Sequence, residues 1–272
     1  RIITAAWLAP LVLAGLFGLD GGAFALFTAL MVLLATWEWA NLAGVTRTAQ
    51  RAQLVAVMAV LMLVMWLAGA ATSIWPLWFS AAGWLVNLYW VTRYPAAGEQ
   101  WQSTVRRLAM GLWVLLPCWV GFNVLRDIGM AWLLFVLLLV WCADIGAYFV
   151  GRHWGKRKLA PHVSPGKSWE GVYGGLAATT ILAILFALWL PLGLVGGITL
   201  ILITAVVTLA SVLGDLLESM LKRHRNIKDS SQLLPGHGGV LDRIDSLTAA
   251  IPLFALFYVE VLVEVFARVP PL

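Results

Sequence analysis

The chain has 272 residues, of which 62% are hydrophobic and only 11% charged. A soluble domain carries about 25% charged residues, so water-soluble folds, disordered tails and disulfide scaffolds are excluded. The formal charge of +5 is small and dispersed, which argues against a nucleic-acid partner.

A helix needs about 20 mostly apolar residues to cross a bilayer. In chain order that window finds spans at 2–19, 23–40, 52–70, 74–91 and 108–125, then 130–150, 172–192, 195–217 and 245–267. The expected fold is an all-α integral membrane protein, a polytopic bundle of about nine transmembrane helices. Residues 1–128 form five spans read as scaffold. Residues 129–272 hold four spans and the polar loops, within one continuous membrane domain. The first span also has the look of a signal peptide, with Arg1 before it and Ala23-Phe24-Ala25 after it. Its apolar stretch exceeds the roughly 7–15 residues of a signal core, so it is read as a true span. Because the chain begins with Arg, a few residues are expected upstream. Sixteen Trp fit interfacial belts, and Cys118 and Cys142 lie within apolar runs.

Of the 18 Lys and Arg, only Arg126 and Arg268 fall on the far side of a nine-span chain. The positive-inside rule therefore puts the N-terminus and the long loops in the cytoplasm.

The first five spans are almost free of ionisable groups, Glu38 excepted. Asp144 lies near the cytoplasmic end of the sixth span, Asp215 and Glu218 lie in the last turns of the eighth, and Asp242 and Asp245 open the ninth. Each pair has i, i+3 spacing and shares a helix face. A carboxylate near mid-membrane costs at least ~2.5–3.5 kcal/mol, so each needs a reason. Glu218 has Lys222 at i, i+4 and reads as a local pair; Glu260 and Glu264 read as local structure, with Arg268 four residues beyond Glu264. Asp144 and Asp215 have no cation within one turn and read as functional. Carboxylates with shared phosphates are how Mg²⁺ is usually held.

The stretch 219–245 is the densest in the chain. Lys222, Arg223, Arg225 and Lys228 fall within seven residues, followed by Gly236-His237-Gly238-Gly239 and then Asp242 and Asp245. Basic side chains and glycine-exposed N–H groups suit a polyphosphate. A positive-inside anchor would explain the cations but not the glycines and paired aspartates. Gly166-Lys167-Ser168 is the tail of a P-loop, but the first glycine of that pattern falls on Pro161 and no strand precedes it. His153, His162, His224 and His237 make no helical metal-ligand pair.

Written as Ser219-x-x-Lys222-Arg223-x4-Lys228-Asp229, then Pro235-Gly236-His237-Gly238-Gly239-x-x-Asp242-Arg243-x-Asp245, the stretch resembles the signature of the CDP-diacylglycerol synthase (phosphatidate cytidylyltransferase) family. The likeness reaches Asp144 and Ser164-Pro165-Gly166-Lys167-Ser168-Trp169-Glu170-Gly171. There Gly166 stands for the family's first Lys and Ser168 for its Thr. The resemblance covers the C-terminal half, and spans one to five match only in being apolar.

It implies transfer of a cytidylyl group from CTP to phosphatidate, giving CDP-diacylglycerol and pyrophosphate, in a bacterial-type inner membrane. It also implies Mg²⁺, a monovalent cation such as K⁺ at the same centre, and a homodimer. On that basis Asp215, Asp242 and Asp245 are expected to hold the metal, with Asp144 as a further ligand or substrate-orienting group. Lys222, Arg223 and Lys228, with the N–H groups of Gly238 and Gly239, are expected on the CTP phosphates. Lys167 and Ser164 are expected on the phosphatidate head or the pyrophosphate, and Ser168, Asp229 and Arg243 also on substrate. His237 is left between a base and a structural or substrate-contacting role. The competing class is a cation- or proton-coupled transporter of an anionic solute. It calls for charges near the midplane and broken helices in both halves, whereas most of the acids here sit at one face.

Overall fold

The computed structural model describes residues 10 and 12–267, apart from 235 and 237. The first expected span begins outside the described residues; its residues 12–18 are helical. Next come α1 (Gly21–Leu42), α2 (Thr48–Leu67), α3 (Trp75–Thr92), a single turn α4 (Gly98–Trp101), α5 (Thr104–Ile128) and α6 (Met130–Trp154). A hairpin of β1 (Lys158–Ala160) and β2 (Ser164–Ser168) leads to α7 (Trp169–Trp189) and α8 (Gly193–His224). Last, α9 (Leu241–Phe257) runs through a π-helical turn (Tyr258–Leu262) into α10 (Val263–Ala267).

Among the described residues seven helices are long and apolar enough to cross a membrane: α1, α2, α5, α6, α7, α8 and the stretch Leu241–Phe266. The chain is an all-α, multi-pass membrane protein. Helix α3 lies where the fourth span was expected and reaches 18 residues, but its Trp, Tyr and Asn side chains leave it outside that set. The antiparallel hairpin, pairing Lys158 with Ser168 and Ala160 with Ser164, was not expected; its strands lack the alternation that marks a half-buried strand.

Lipid-facing and core-facing surfaces separate without polarity. Helix α2 buries only Met58, Met62 and Met65 and turns Val57, Leu63, Val64 and Leu67 outward. The inner core holds Trp119, Phe122, Phe135 and Phe254. Trp132 gathers Phe135, Phe186, Phe254, Tyr258 and Phe266 around it. Helix α5 lies against α1, α3 and α9, while α8 packs on α7 and α9.

The tightest pair is α6 with α7, where small residues let backbones meet. A Cβ on Gly146 would stand 2.5 Å from the Gly174 carbonyl oxygen, and one on Gly175 would stand 3.0 Å from that of Ala143. Backbone cannot step aside as a side-chain end can. Gly146→Ala is expected to force the helices apart and cost about 1–3 kcal/mol, read as a lowered thermal midpoint in detergent. An unchanged midpoint would mean that this approach is not needed.

Candidate active site

The charged residues converge where α1, α6 and α8 end and α7 and α9 begin. The hairpin crosses this end of the bundle. Ser168 closes it as the N-cap of α7, its hydroxyl accepting from the Gly171 N–H at 3.2 Å. Glu170, in the first turn, accepts from the backbone N–H groups of Lys156 and Arg157 and from Arg157 Nε. The Glu170 bond raises the exposed Arg157 guanidinium above its ordinary value. Arg223 of α8 donates Nε to the Val163 carbonyl at 3.2 Å, so the hairpin is tied at both ends and at its tip.

This anchoring sets Lys167 over α8. Its ammonium lies 2.6 Å from Asp215 Oδ2, and both side chains are part-exposed. The other Asp215 oxygen accepts from Ser219 Oγ at 3.1 Å. Asp144 on α6 is in the field of both Lys167 and Asp215, and Asp245 on α9 interacts with the same two groups and with Lys222. Lys167, Asp144 and Asp215 line one cavity of about 470 Å³ between α6, α7 and α8, with Gly151, Gly166, Gly171, Gly175 and Thr208 in its wall. Leu159, Val172 and Val212 separate it from an apolar cavity of about 510 Å³ that extends to Leu88, Val91 and Leu213.

A second centre is closed. Lys222 Nζ bridges Glu218 Oε2 at 2.7 Å and Asp242 Oδ1 at 2.8 Å. The Asp242 side chain is 6% exposed, and its Oδ2 accepts from the N–H groups of Ser230 and Gly239, at 3.0 and 2.7 Å. The i, i+4 pair of Glu218 and Lys222 is therefore present, and Asp242 joins it. The glycines serve the loop's own folding. Gly238 has φ +78°, and a Cβ there would meet Asp242 Oδ2 at 2.7 Å. Gly239 has no room for one beside Ser230 and Glu38.

The sequence-expected residues thus fall into three groups. Asp144, Asp215, Lys167 and Ser168 line the open cavity, with Asp245 in electrostatic reach. Lys222, Asp242 and Gly239 are committed to one another. Arg223 holds the hairpin, while Lys228 and Asp229 are exposed on the loop, Arg243 is exposed in the first turn of α9 and Ser164 sits in β2. His237 lies outside the described residues, as does Arg268; Glu260 accepts from Trp78 Nε1.

Sequence reasoning passed over Glu38. It is fully buried, yet it comes from the charge-poor N-terminal half and accepts four hydrogen bonds from the signature loop. Its one signal was being the lone acid of the first five spans.

The donor set suits a hard divalent cation. Among the described residues Lys167 is the one cation paired directly with Asp215, within reach of Asp144 and Asp245, and the buried Glu218 Oε1 has no hydrogen-bond partner. Among the described residues no three His, Cys, Asp or Glu groups form a ready-made cage. Mg²⁺ seldom needs one, since it takes one or two carboxylates together with substrate phosphates and water.

A cytidylyltransferase family model matches residues 1–261. The chain is 50% identical to a phosphatidate cytidylyltransferase of Pseudomonas aeruginosa, the match covering 94% of each chain. It is 42% identical to one from Haemophilus influenzae, over 96% of this chain and 99% of the relative. It is 36% identical to one from Brucella suis, over 94% and 92%.

Proposed function

The chain belongs to the cytidylyltransferase family, and from that premise we propose that it transfers the cytidylyl group of CTP to phosphatidate, giving CDP-diacylglycerol and pyrophosphate. The observation that carries the reading is the open cavity in which Lys167, Asp144 and Asp215 meet beside an apolar recess. A phosphorylated lipid needs both environments, one for its headgroup and one for its chains.

A phosphatidate oxygen attacks the α-phosphorus of CTP, and the bond to the bridging oxygen of pyrophosphate breaks. Phosphatidate is already ionised, so no covalent enzyme intermediate and no strong base is required. Both reactants are polyanions, and the barrier is set by their repulsion and by charge gathering on the leaving pyrophosphate. Lys167 is the group suited to that charge. Free of Asp215, its ammonium reaches into the cavity from a strand fixed by Ser168 and Arg223. The exposed Lys228 and Arg243 meet the triphosphate as it arrives. Lys222 and Asp242 act by holding the loop.

Asp144 and Asp215, with Asp245 beside them, would hold Mg²⁺, and Glu218, through the oxygen that Lys222 leaves free, would hold a monovalent cation such as K⁺. Bound there, the metal would neutralise phosphate oxygens and polarise the reacting phosphorus. The positive-inside pattern turns this end of the bundle to the cytoplasm, where CTP is, in a bacterial inner membrane; phosphatidate enters sideways from the facing leaflet.

The test is pyrophosphate release by purified protein in mixed micelles. Release is expected only when CTP, phosphatidate and Mg²⁺ are all present, and to stop on adding EDTA. Release without phosphatidate would indicate a CTP hydrolase. Full release in EDTA would overturn the metal assignment.

A further inference from the structure

We infer that Glu38 is a positioning residue for the reaction, acting through the signature loop. This rests on the cytidylyltransfer reading for its activity readout only.

Helix α9 begins without a cap of its own: Val240 precedes it and makes no side-chain capping bond. The cap comes from another helix. Glu38 of α1 accepts from the N–H of Leu241 at 2.6 Å and of Val240 at 3.0 Å. Orphan N–H groups and the positive end of the helix dipole together stabilise a carboxylate there. The hydroxyl of Ser231 donates to Glu38 Oε1. That of Ser230 lies 3.4 Å from Glu38 Oε2 and 2.9 Å from Asp242 Oδ2, so it joins the two carboxylates. A fully buried carboxylate is tolerated only when so satisfied. Its electrostatic partner is Arg51 of α2, whose guanidinium is itself fixed on the Trp37 carbonyl and stacked over the Trp37 ring.

The consequence reaches the cavity. Asp242 and Asp245 occupy the first turns of α9, so the direction in which they point is set by how that helix starts. Glu38 fixes the start and, together with Ser230, crowds position 239: a Cβ there would lie 2.5 Å from Glu38 Oε1 and closer still to Ser230 Oγ. Glu38 is fully buried and lines neither cavity, so its effect is carried by the acids it aligns.

The experiment uses the full chain carrying Glu38→Gln, Glu38→Asp or Ser231→Ala. Gln keeps the size but turns an NH₂ group towards backbone donors. A misplacement of about 1 Å can cost about 100-fold, so kcat should fall by about that factor while KM for phosphatidate stays within about threefold, the pattern of an interaction needed in the transition state. Tryptic cleavage at Arg225 and Lys228 should accelerate about tenfold as the loop loosens through local opening. Glu38→Asp, keeping the charge, should restore most of the protection, and Ser231→Ala should show a smaller shift of the same kind. If Glu38→Gln fails to fold, Ser231→Ala carries the test. Unchanged kcat together with unchanged cleavage in a folded variant would overturn the proposal. So would a fall in activity that only tracks thermal stability, with the loop as protected as before. If the wild type transfers no cytidylyl group, the functional reading fails, while the cleavage rates still decide the role of Glu38.

Discussion

Asp215→Asn should lose about 10²–10³ of the transfer rate, the scale of removing one preorganised electrostatic contact from a reacting centre, and remain folded. The substitution is nearly isosteric, and the bond from Ser219 Oγ to Oδ1 can persist. What goes is the negative charge that meets Lys167 at 2.6 Å and, in the proposed function, holds Mg²⁺. Stability should not suffer, because Asp215 is part-exposed and its charge is felt by two further acids, Asp144 and Asp245. Removing a like charge from such a group relieves repulsion. The check is the transfer rate beside the thermal midpoint: a dead enzyme with an unshifted midpoint is expected. Full activity would remove Asp215 from the site.

Lys222→Met should damage both quantities. Among the described residues Lys222 is the single bridge between Glu218 and Asp242, whose side chains are 2% and 6% exposed. Deleting one partner of a buried pair leaves charge without compensation and costs about 3–5 kcal/mol. Here two carboxylates are stranded, and Asp242 also gathers Ser230 and Gly239. The expected result is a large fall in thermal midpoint with loss of activity. Neutralising the two acids as well, in Lys222→Met with Glu218→Gln and Asp242→Asn, should return much of the stability, since an ion group replaced whole is often neutral. It should not return the activity, because the loop would have lost its order. A Lys222→Met protein as stable as the wild type would mean that the bridge does not organise the loop.

How much of this was legible depends on how local each cause is. The spans could be read because bilayer thickness imposes a length that composition reveals. The acids at helix ends and the Glu218–Lys222 pair could be read because helical spacing fixes which neighbours meet. Lys222 reaching Asp242, 20 residues on, could not, nor could Glu38 capping a helix 203 residues away. Those contacts are made by the packing of α1, α8 and α9, which no local pattern encodes. The close approach of α6 and α7 lay in view as Ala143, Ala147 and Gly151 at four-residue spacing, facing Gly171 and Gly175. In a chain with 25 glycines such a stripe does not stand out until the partner helix is known. As sequence the signature glycines suit a phosphate; in the fold the N–H of Gly239 is bound to Asp242 and the carbonyl of Gly238 accepts from Leu234. Ser168 caps a helix while it also lines the cavity.

The central claim is that the cavity holding Lys167 and Asp215 joins the α-phosphorus of CTP to a lipid phosphate. The direct measurement supplies CTP labelled at either the α- or the γ-phosphate to purified protein with phosphatidate and Mg²⁺, then separates lipid from water. The α label should enter the lipid phase and the γ label should appear as aqueous pyrophosphate, with neither change in Asp215→Asn. Label from the γ position in lipid, or α label released only as free nucleotide, would contradict the account.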